Sequence, residues 1–344
     1  MKVLQSEESG KRVVFHAYDR KILALLCRNV RLPLAKIAQL LRLSRQSVEY
    51  RINVMEKMHV LEGSRAVINI QSLGHQSYHY FFALQDEKAE KKLKEQALAS
   101  EMVNALITYS GRYTHEISIL ARSPAEAQHH FLFLTEGFSL TSVIPIVLLS
   151  KLKAEVLPEL QHEYLPEIKH IRNDPSFSKQ FTLPLQEYHL DMKDFELLYL
   201  LSQNARMSLL DLGKKTHLSS DAVSYRIKKL IRAKYLLEFR PVINFDALSY
   251  SLQAILIKAR RSKAEDEQFC QYVRGDKSIL WATELFGEYD YLLYVLSHSQ
   301  DEIHTSVKGM QKVFPDYLVS YELLFAYKQH KYAFMTEGMR KMGD

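Results

Sequence analysis

The chain has 344 residues, of which 47% are hydrophobic and 25% charged, with a formal net charge of +6. That length suggests roughly two to four domains; the mild basicity permits a polyanionic partner without specifying a fold. Two cysteines, Cys27 and Cys270, exclude a disulfide framework and zinc-ligand spacing, and both lie among apolar residues like buried thiols. The opening MKVLQSEESGKRVVF lacks the apolar core of a secretory signal, and no run nears the ~18 apolar residues of a membrane span. The expected compartment is a reducing cytoplasm.

In chain order, DRKILALLCRN places Ile22, Leu23, Leu25 and Leu26 at helical spacing. LPLAKIAQLL predicts a second short helix with Pro33 near its start, where a missing N–H costs little. Ser44 then reads as the N-cap of a third helix with Val48, Ile52 and Met55 on one face. VLEGSRAVINIQSLG follows, with a turn signal at Gly63 between two β-like stretches. Three short helices and a two-stranded wing predict a winged helix-turn-helix over 16–74. From 75 to 171 the pattern changes to strand YHYFFAL, a charged helix, strands NALITYSG and YTHEISILA, a helix near 124–136, and strand VIPIVLLSKLKAE. The stretch 172–188, rich in Pro, Asn, Asp and Ser, reads as a linker.

The same order then recurs. LSRQSVEYRI at 43–52 returns as LSSDAVSYRI at 218–227. An ungapped offset of 175 aligns Asp19–Leu73 with Asp194–Leu248 at 19 identities in 55 positions, and an offset of 176 then aligns SGRYTHEISILARS with FGEYDYLLYVLSHS. This is a tandem duplication of a two-part unit. The second copy predicts a winged helix-turn-helix over 189–249, with Ser219 capping a helix whose Val223, Ile227 and Leu230 face inward. Over 250–332 follow strand SLQAILIKAR, helix KAEDEQFCQYVRG, strands SILWATELFG and YDYLLYVLS, helix SQDEIHTSVKGMQ and strand YLVSYELLFAY. β-α-β-β-α-β is the split, ferredoxin-like arrangement. The predicted class is α+β: two winged helix-turn-helix domains, each followed by a ferredoxin-like βαββαβ module.

The ordered phrases D-x-x-I-L-x-L-L (19–26), N-x-R (29–31), I-A-x-x-L-x-L-S (37–44), R-I-x-x-M-E (51–56) and G-E-Y-D-Y-L-L (287–293) are together similar to the Lrp/AsnC family of transcriptional regulators. The resemblance covers nearly the whole chain, twice over. It implies a regulator of double-stranded DNA whose C-terminal modules mediate self-association and often sense an amino acid or other small metabolite. Members usually pair as homodimers of single units, so a fused pair implies a single-chain pseudo-dimer.

The second helix of a helix-turn-helix pair enters the major groove. With the apolar stripe inward, repeat one presents Ser44, Arg45, Gln46, Glu49, Tyr50 and Asn53, and repeat two presents Ser219, Ser220, Asp221, Ser224, Tyr225 and Lys228. Arg suits guanine, and Gln or Asn suits adenine. Arg51 and Arg226 flank the stripe and suit phosphates, as do Lys229 and Arg232. Residues 44–59 carry a net charge of +1 and residues 219–234 a net charge of +4. Repeat two is therefore expected to supply more of the salt-dependent affinity and repeat one more of the base discrimination. The competing reading of Tyr50 and Tyr225 is packing against the preceding helix.

Gly287, Tyr289 and Asp290 sit at a strand–strand turn that the resemblance places near the family's subunit interface and effector pocket. Repeat one keeps Gly111 and Tyr113 but has Thr114 in place of the acid, so an effector's ammonium group loses a partner there. No P-loop, Rossmann or nucleophile-elbow motif appears, and HEYLP at 162–166 lacks a second histidine at zinc-protease spacing. His129-His130, His75 and His79 read as surface or packed residues, so neither metal nor cofactor is expected. The same superfamily offers an enzyme alternative, the siroheme decarboxylases; their His-containing stretch is unlike ELFGEYDYLLYVL and TYSGRYTHEISIL here. An architectural chromosome-binding protein is the remaining alternative.

Overall fold

The computed structural model describes residues 3–5, 12–84, 86–166 and 188–341. The expected linker, 172–188, falls outside them except for Tyr188. Repeat one begins with short strands β1 (Val3–Gln5) and β2 (Arg12–Val14), then α1 (Ala17–Arg28), α2 (Leu34–Leu41), α3 (Arg45–Lys57) and β3 (Leu61–Ile68). Next come β4 (Gln76–Ala83), α4 (Glu87–Ala99), β5 (Val103–Ser110), β6 (His115–Ala121), α5 (Pro124–Leu134), β7 (Thr141–Ala154) and α6 (Pro158–Tyr164). Repeat two runs α7 (Met192–Gln203), α8 (Leu209–Thr216), α9 (Ser220–Arg232), β8 (Leu236–Ile243), β9 (Ser251–Ala259), α10 (Lys263–Gly275), β10 (Ile279–Phe286), β11 (Tyr291–Ser297), α11 (Gln300–Val313), β12 (Leu318–Tyr332) and α12 (Glu337–Lys341). The α+β class is as expected, with two helix-turn-helix domains each followed by a βαββαβ module.

Local chemistry sets the helix starts. Ser44 and Ser219 accept hydrogen bonds from the Ser47 and Ala222 amides, satisfying N–H groups that the first turn leaves free. Asp19 and Asp194 close capping boxes at α1 and α7. The inward faces are as periodicity places them: Ile22, Leu23, Leu25 and Leu26 on α1, Val48, Ile52 and Met55 on α3, and Val223, Ile227 and Leu230 on α9 are all buried. Each such side chain contributes about 1.5–3 kcal/mol by leaving water.

The chain divides by module type rather than by repeat. Among the described residues, one compact unit holds both helix-turn-helix domains, within 1–73 and 156–249 together with 340–341; the other holds both βαββαβ modules, within 74–155 and 250–339. In the first unit the expected two-stranded wing is corrected. Each repeat gives one continuous strand through this region, and β3 pairs antiparallel with β8 of the other repeat. Gly63 does not turn the chain; at φ +142° it sits beside an irregularity in the ladder. Arg65 pairs opposite Arg240, its own repeat equivalent, so the pseudo-two-fold axis passes between them. The N-x-R phrases tighten this joint. Arg31 Nη1 donates to the Ala205 carbonyl at 2.6 Å, and Arg206 Nε donates to the Val30 carbonyl at 2.8 Å. Burial pushes both guanidiniums below their ordinary pKa.

In the second unit the strands run β10-β11-β9-β12-β5-β6-β4-β7, and β7 pairs back onto β10 to close an eight-stranded barrel. Each module contributes four antiparallel strands, and the joins fall between β12 and β5 and between β7 and β10. Closure leaves no free sheet edge in either module. Helices α4 and α5 cover the outer face of module one, packing Leu93, Ala97, Ala127 and Phe131 against it. Helices α10 and α11 cover module two with Phe269, Val273, Ile303 and Val307. The interior is a third core shared by both modules, with Phe81, Ile107 and Ile146 from one and Leu256, Leu285 and Leu292 from the other.

Candidate nucleic-acid interface

Helix α3 enters from a tight turn in which Arg42 takes the left-handed conformation. Its outward positions are those expected: Ser44, Arg45, Gln46, Glu49, Tyr50 and Asn53 are all exposed. Tyr50 is 70% exposed, so it does not pack on the preceding helix. On α9, Asp221, Tyr225, Lys228 and Arg232 are exposed, Ser220, Ser224 and Lys229 are half-buried, and the capping Ser219 is exposed. Tyr225 is 59% exposed, and the Lys229 ammonium lies 4.8 Å from its ring centroid and 5.2 Å from that of Tyr188. This stack orients a cation beside an exposed aromatic ring.

Arg51 and Arg226 differ from the phosphate-contact expectation. Arg51 Nη1 lies 2.7 Å from Asp19 Oδ1, and Arg226 Nη1 lies 2.9 Å from Asp194 Oδ1 and 2.8 Å from Asp191 Oδ2. Asp19 and Asp194 are the buried N3 carboxylates of the α1 and α7 capping boxes, so each arginine ties a recognition helix to the first helix of its domain. Burial alone would lower Arg226; hydrogen bonds to Asp194 and Asp191 outweigh it and hold the guanidinium above its ordinary pKa. Burial opposes them at Asp191 too, where the Asp194 amide and Arg226 pull the carboxyl down. Repeat two keeps Lys228, Lys229 and Arg232 on α9 as its cationic face, and Lys214 and Lys215 on α8 are exposed as well.

The turn residues expected to face an effector lie in the barrel unit, and the structure makes them seam residues. Tyr113 and Tyr289 are both buried, and their hydroxyls approach to 3.5 Å. As repeat equivalents they mark the pseudo-two-fold axis of the barrel. Gly111 and Gly287, at φ +149° and +148°, press against the other repeat's last strand, where an added Cβ would lie 2.8 Å from Leu324 Cδ2 or 3.1 Å from the Pro145 carbonyl. Asp290 Oδ2 accepts the Ala259 amide at 2.9 Å and lies 3.3 Å from Lys258 Nζ, so its carboxylate is engaged by the end of β9. A separate depression of about 610 Å³ lies beside α10, with Ser150, Arg261, Lys263, Asp266, Gln271 and Arg274 among its lining residues.

A polar cluster inside the barrel was not anticipated from the sequence. Glu116 is wholly buried and accepts from His79 Nδ1 at 2.6 Å, from Tyr109 OH at 2.5 Å and from Tyr294 OH at 2.8 Å. Burial first, then the Glu116 charge, pushes both tyrosines well above their ordinary pKa. The sequence signal is a Glu beside Ile117, Ile119 and Leu120 in the strand HEISIL. Cys27 is buried as expected, and Cys270 is only half-buried. Among the described residues no cluster of His, Cys, Asp and Glu suits a metal ion, and no helix is long and apolar enough to cross a membrane.

These features define a two-repeat helix-turn-helix protein whose C-terminal modules close into one barrel. The sequence matches the AsnC-type helix-turn-helix domain twice, over residues 17–56 and 190–231. It is 35% identical over 109 residues to the proline dehydrogenase transcriptional activator of Rhizobium radiobacter, covering 31% of this chain and 69% of that protein. It is 26% identical over 150 residues to the HTH-type transcriptional regulator LrpB of Bacillus subtilis, covering 44% of this chain and 97% of that protein. The chain belongs to the Lrp/AsnC family. It shares a fold with the siroheme decarboxylase NirDL, at TM-score 0.61 and 12% identity, covering 95% of this chain and 97% of that one.

Proposed function

We propose that the protein is a sequence-specific, DNA-binding transcriptional regulator of Lrp/AsnC type in which two unlike repeats act as the halves of a dimer within one chain. The observation that carries this reading is the pair of recognition helices with exposed but different faces. Arg45, Gln46, Glu49, Tyr50 and Asn53 on α3 suit base edges. Lys228, Lys229 and Arg232 on α9 suit phosphates. Both belong to the unit joined by the β3–β8 pairing. The working mechanism is groove contact without chemistry, in the cytoplasm, with the βαββαβ modules as the assembly element. A small effector such as an amino acid would act away from the packed Tyr113–Tyr289 seam, and the depression beside α10 supplies both charge signs for a zwitterion. The test is fluorescence anisotropy with labelled duplexes over a salt series. Saturable binding that weakens linearly in log salt supports the reading; no binding at low salt contradicts it.

The fold shared with a siroheme decarboxylase favours a second reading, an enzyme of that type. Mixing the protein with siroheme separates the two. A shifted haem-type absorbance band with stoichiometric binding would favour the enzyme, and an unchanged spectrum the regulator.

A further inference from the structure

The barrel interior is chemically asymmetric although its backbone is pseudo-symmetric. Strand register makes Glu116 equivalent to Leu292, because they lie opposite Phe81 and Leu256. By the same register His79 corresponds to Ala254 and Ser118 to Tyr294. Tyr109 corresponds to Leu285, each facing the last strand of the other repeat. Repeat one therefore supplies a buried carboxylate with two of its donors, His79 and Tyr109. Repeat two supplies the third, Tyr294, whose hydroxyl reaches both carboxylate oxygens at 2.9 and 2.8 Å. Ser77 and Ser118, at 3.1 and 3.3 Å, engage the other nitrogen of His79, so the repeat-one side of the cluster is fully built.

We infer that the Glu116–Tyr294 contact selects the pairing partner, so that the barrel closes only between a repeat-one module and a repeat-two module. This rests on the pseudo-dimer reading above and deepens it. Two repeat-one modules facing each other would bury two Glu116 carboxylates with Ser118 where each needs the Tyr294 hydroxyl. Two repeat-two modules would bury two Tyr294 hydroxyls facing Leu292. Unmatched buried polar groups are costly, so each like pairing is disfavoured while the unlike pairing satisfies every group. At the matching interior positions repeat two has the apolar Ala254, Leu285 and Leu292, and its Tyr294 hydroxyl donates to the repeat-one carboxylate. The consequence is that a barrel built from two copies of the same module does not form.

Cross-strand cysteines in the full chain read this directly. Ser110 pairs with Phe325, and Val147 with Phe286. Ser110→Cys with Phe325→Cys reports the unlike pairing and should give an intrachain disulfide. Ser110→Cys with Val147→Cys reports the pairing of two repeat-one modules, because only that arrangement sets those strands side by side, and it links two chains. After unfolding and oxidative refolding, the second reporter should give almost no covalent dimer. Adding Glu116→Leu removes the penalty and should raise the covalent dimer at least about tenfold. Tyr294→Phe, which keeps the ring and is expected to fold, should raise it by a smaller factor. Covalent dimer unchanged by Tyr294→Phe, and by Glu116→Leu if that variant folds, overturns partner selection. Interchain linkage from the first reporter overturns the single-chain pairing on which it rests. The readout needs no DNA, so failure of DNA binding leaves it intact.

Discussion

Arg51 and Arg226 sit on the recognition helices but point back at buried carboxylates, which gives them a structural role distinct from that of the lysines beside them. Arg226→Ala leaves Asp194, wholly buried, without its cation, and should cost about 3 kcal/mol in urea unfolding. The triple change Lys228→Ala, Lys229→Ala and Arg232→Ala should leave stability nearly unchanged. It should lower the slope of log affinity against log salt by roughly two to three in anisotropy titrations. An unchanged slope would show that α9 does not lie on phosphate. The exposed residues of both helices were legible in the sequence, because a 3.6-residue period fixes the outward face once the apolar stripe is known. Glu116 was not legible as the centre of a cluster. Its donors His79 and Tyr294 lie 37 and 178 residues away, and only strand register brings them together.

Turn and strand geometry carry the differences at the level of elements. At Gly213 in α8 an added Cβ would lie 2.5 Å from the Leu218 carbonyl, a backbone atom that cannot swing away. Gly213→Ala should therefore open the α8–α9 turn and destabilise the protein by about 1–3 kcal/mol, measured by thermal unfolding. Repeat one has Ala38 at the matching position, so its turn already accommodates the methyl group. Gly63 illustrates the opposite limit of sequence reasoning. Its presence between two β-like stretches reads as a hairpin turn, whereas the partner strand comes from the other repeat and the glycine is absorbed as a ladder irregularity. In the barrel, burial pushes His115 below the ordinary imidazole value, with Glu90 opposing. Burial, with Lys94 and Lys328 adding, takes His330 to about 4. The unfolded chain then binds these protons first. Their contribution is complete above the unfolded value of about 6.5 and is lost as pH falls towards 4. His330→Asn should flatten the fall in melting temperature across that window, and an equally steep fall would exclude His330 as its source.

On the scale of the whole chain, the duplication, the module order and the α+β class were visible in the sequence, since they rest on repeated local patterns. The partition into one helix-turn-helix unit and one barrel unit was not, because it depends on which edges meet. Leu292 of repeat two lies in the core shared by both modules. Leu292→Ala should cost about 2–5 kcal/mol. Amide exchange should accelerate in β6 and β11 together, and acceleration confined to β11 would mean that the modules unfold separately. Under the proposed function, two unlike readers in one chain address DNA. The most direct test is selection from a random duplex pool at near-physiological salt, with the parent protein and an Arg45→Ala, Lys228→Ala variant. The expected result is an enriched site with two unlike halves about one or two helical turns apart, lost in the variant. Retention without an enriched motif would indicate an architectural DNA-binding role, and no retention at all would contradict the proposed function.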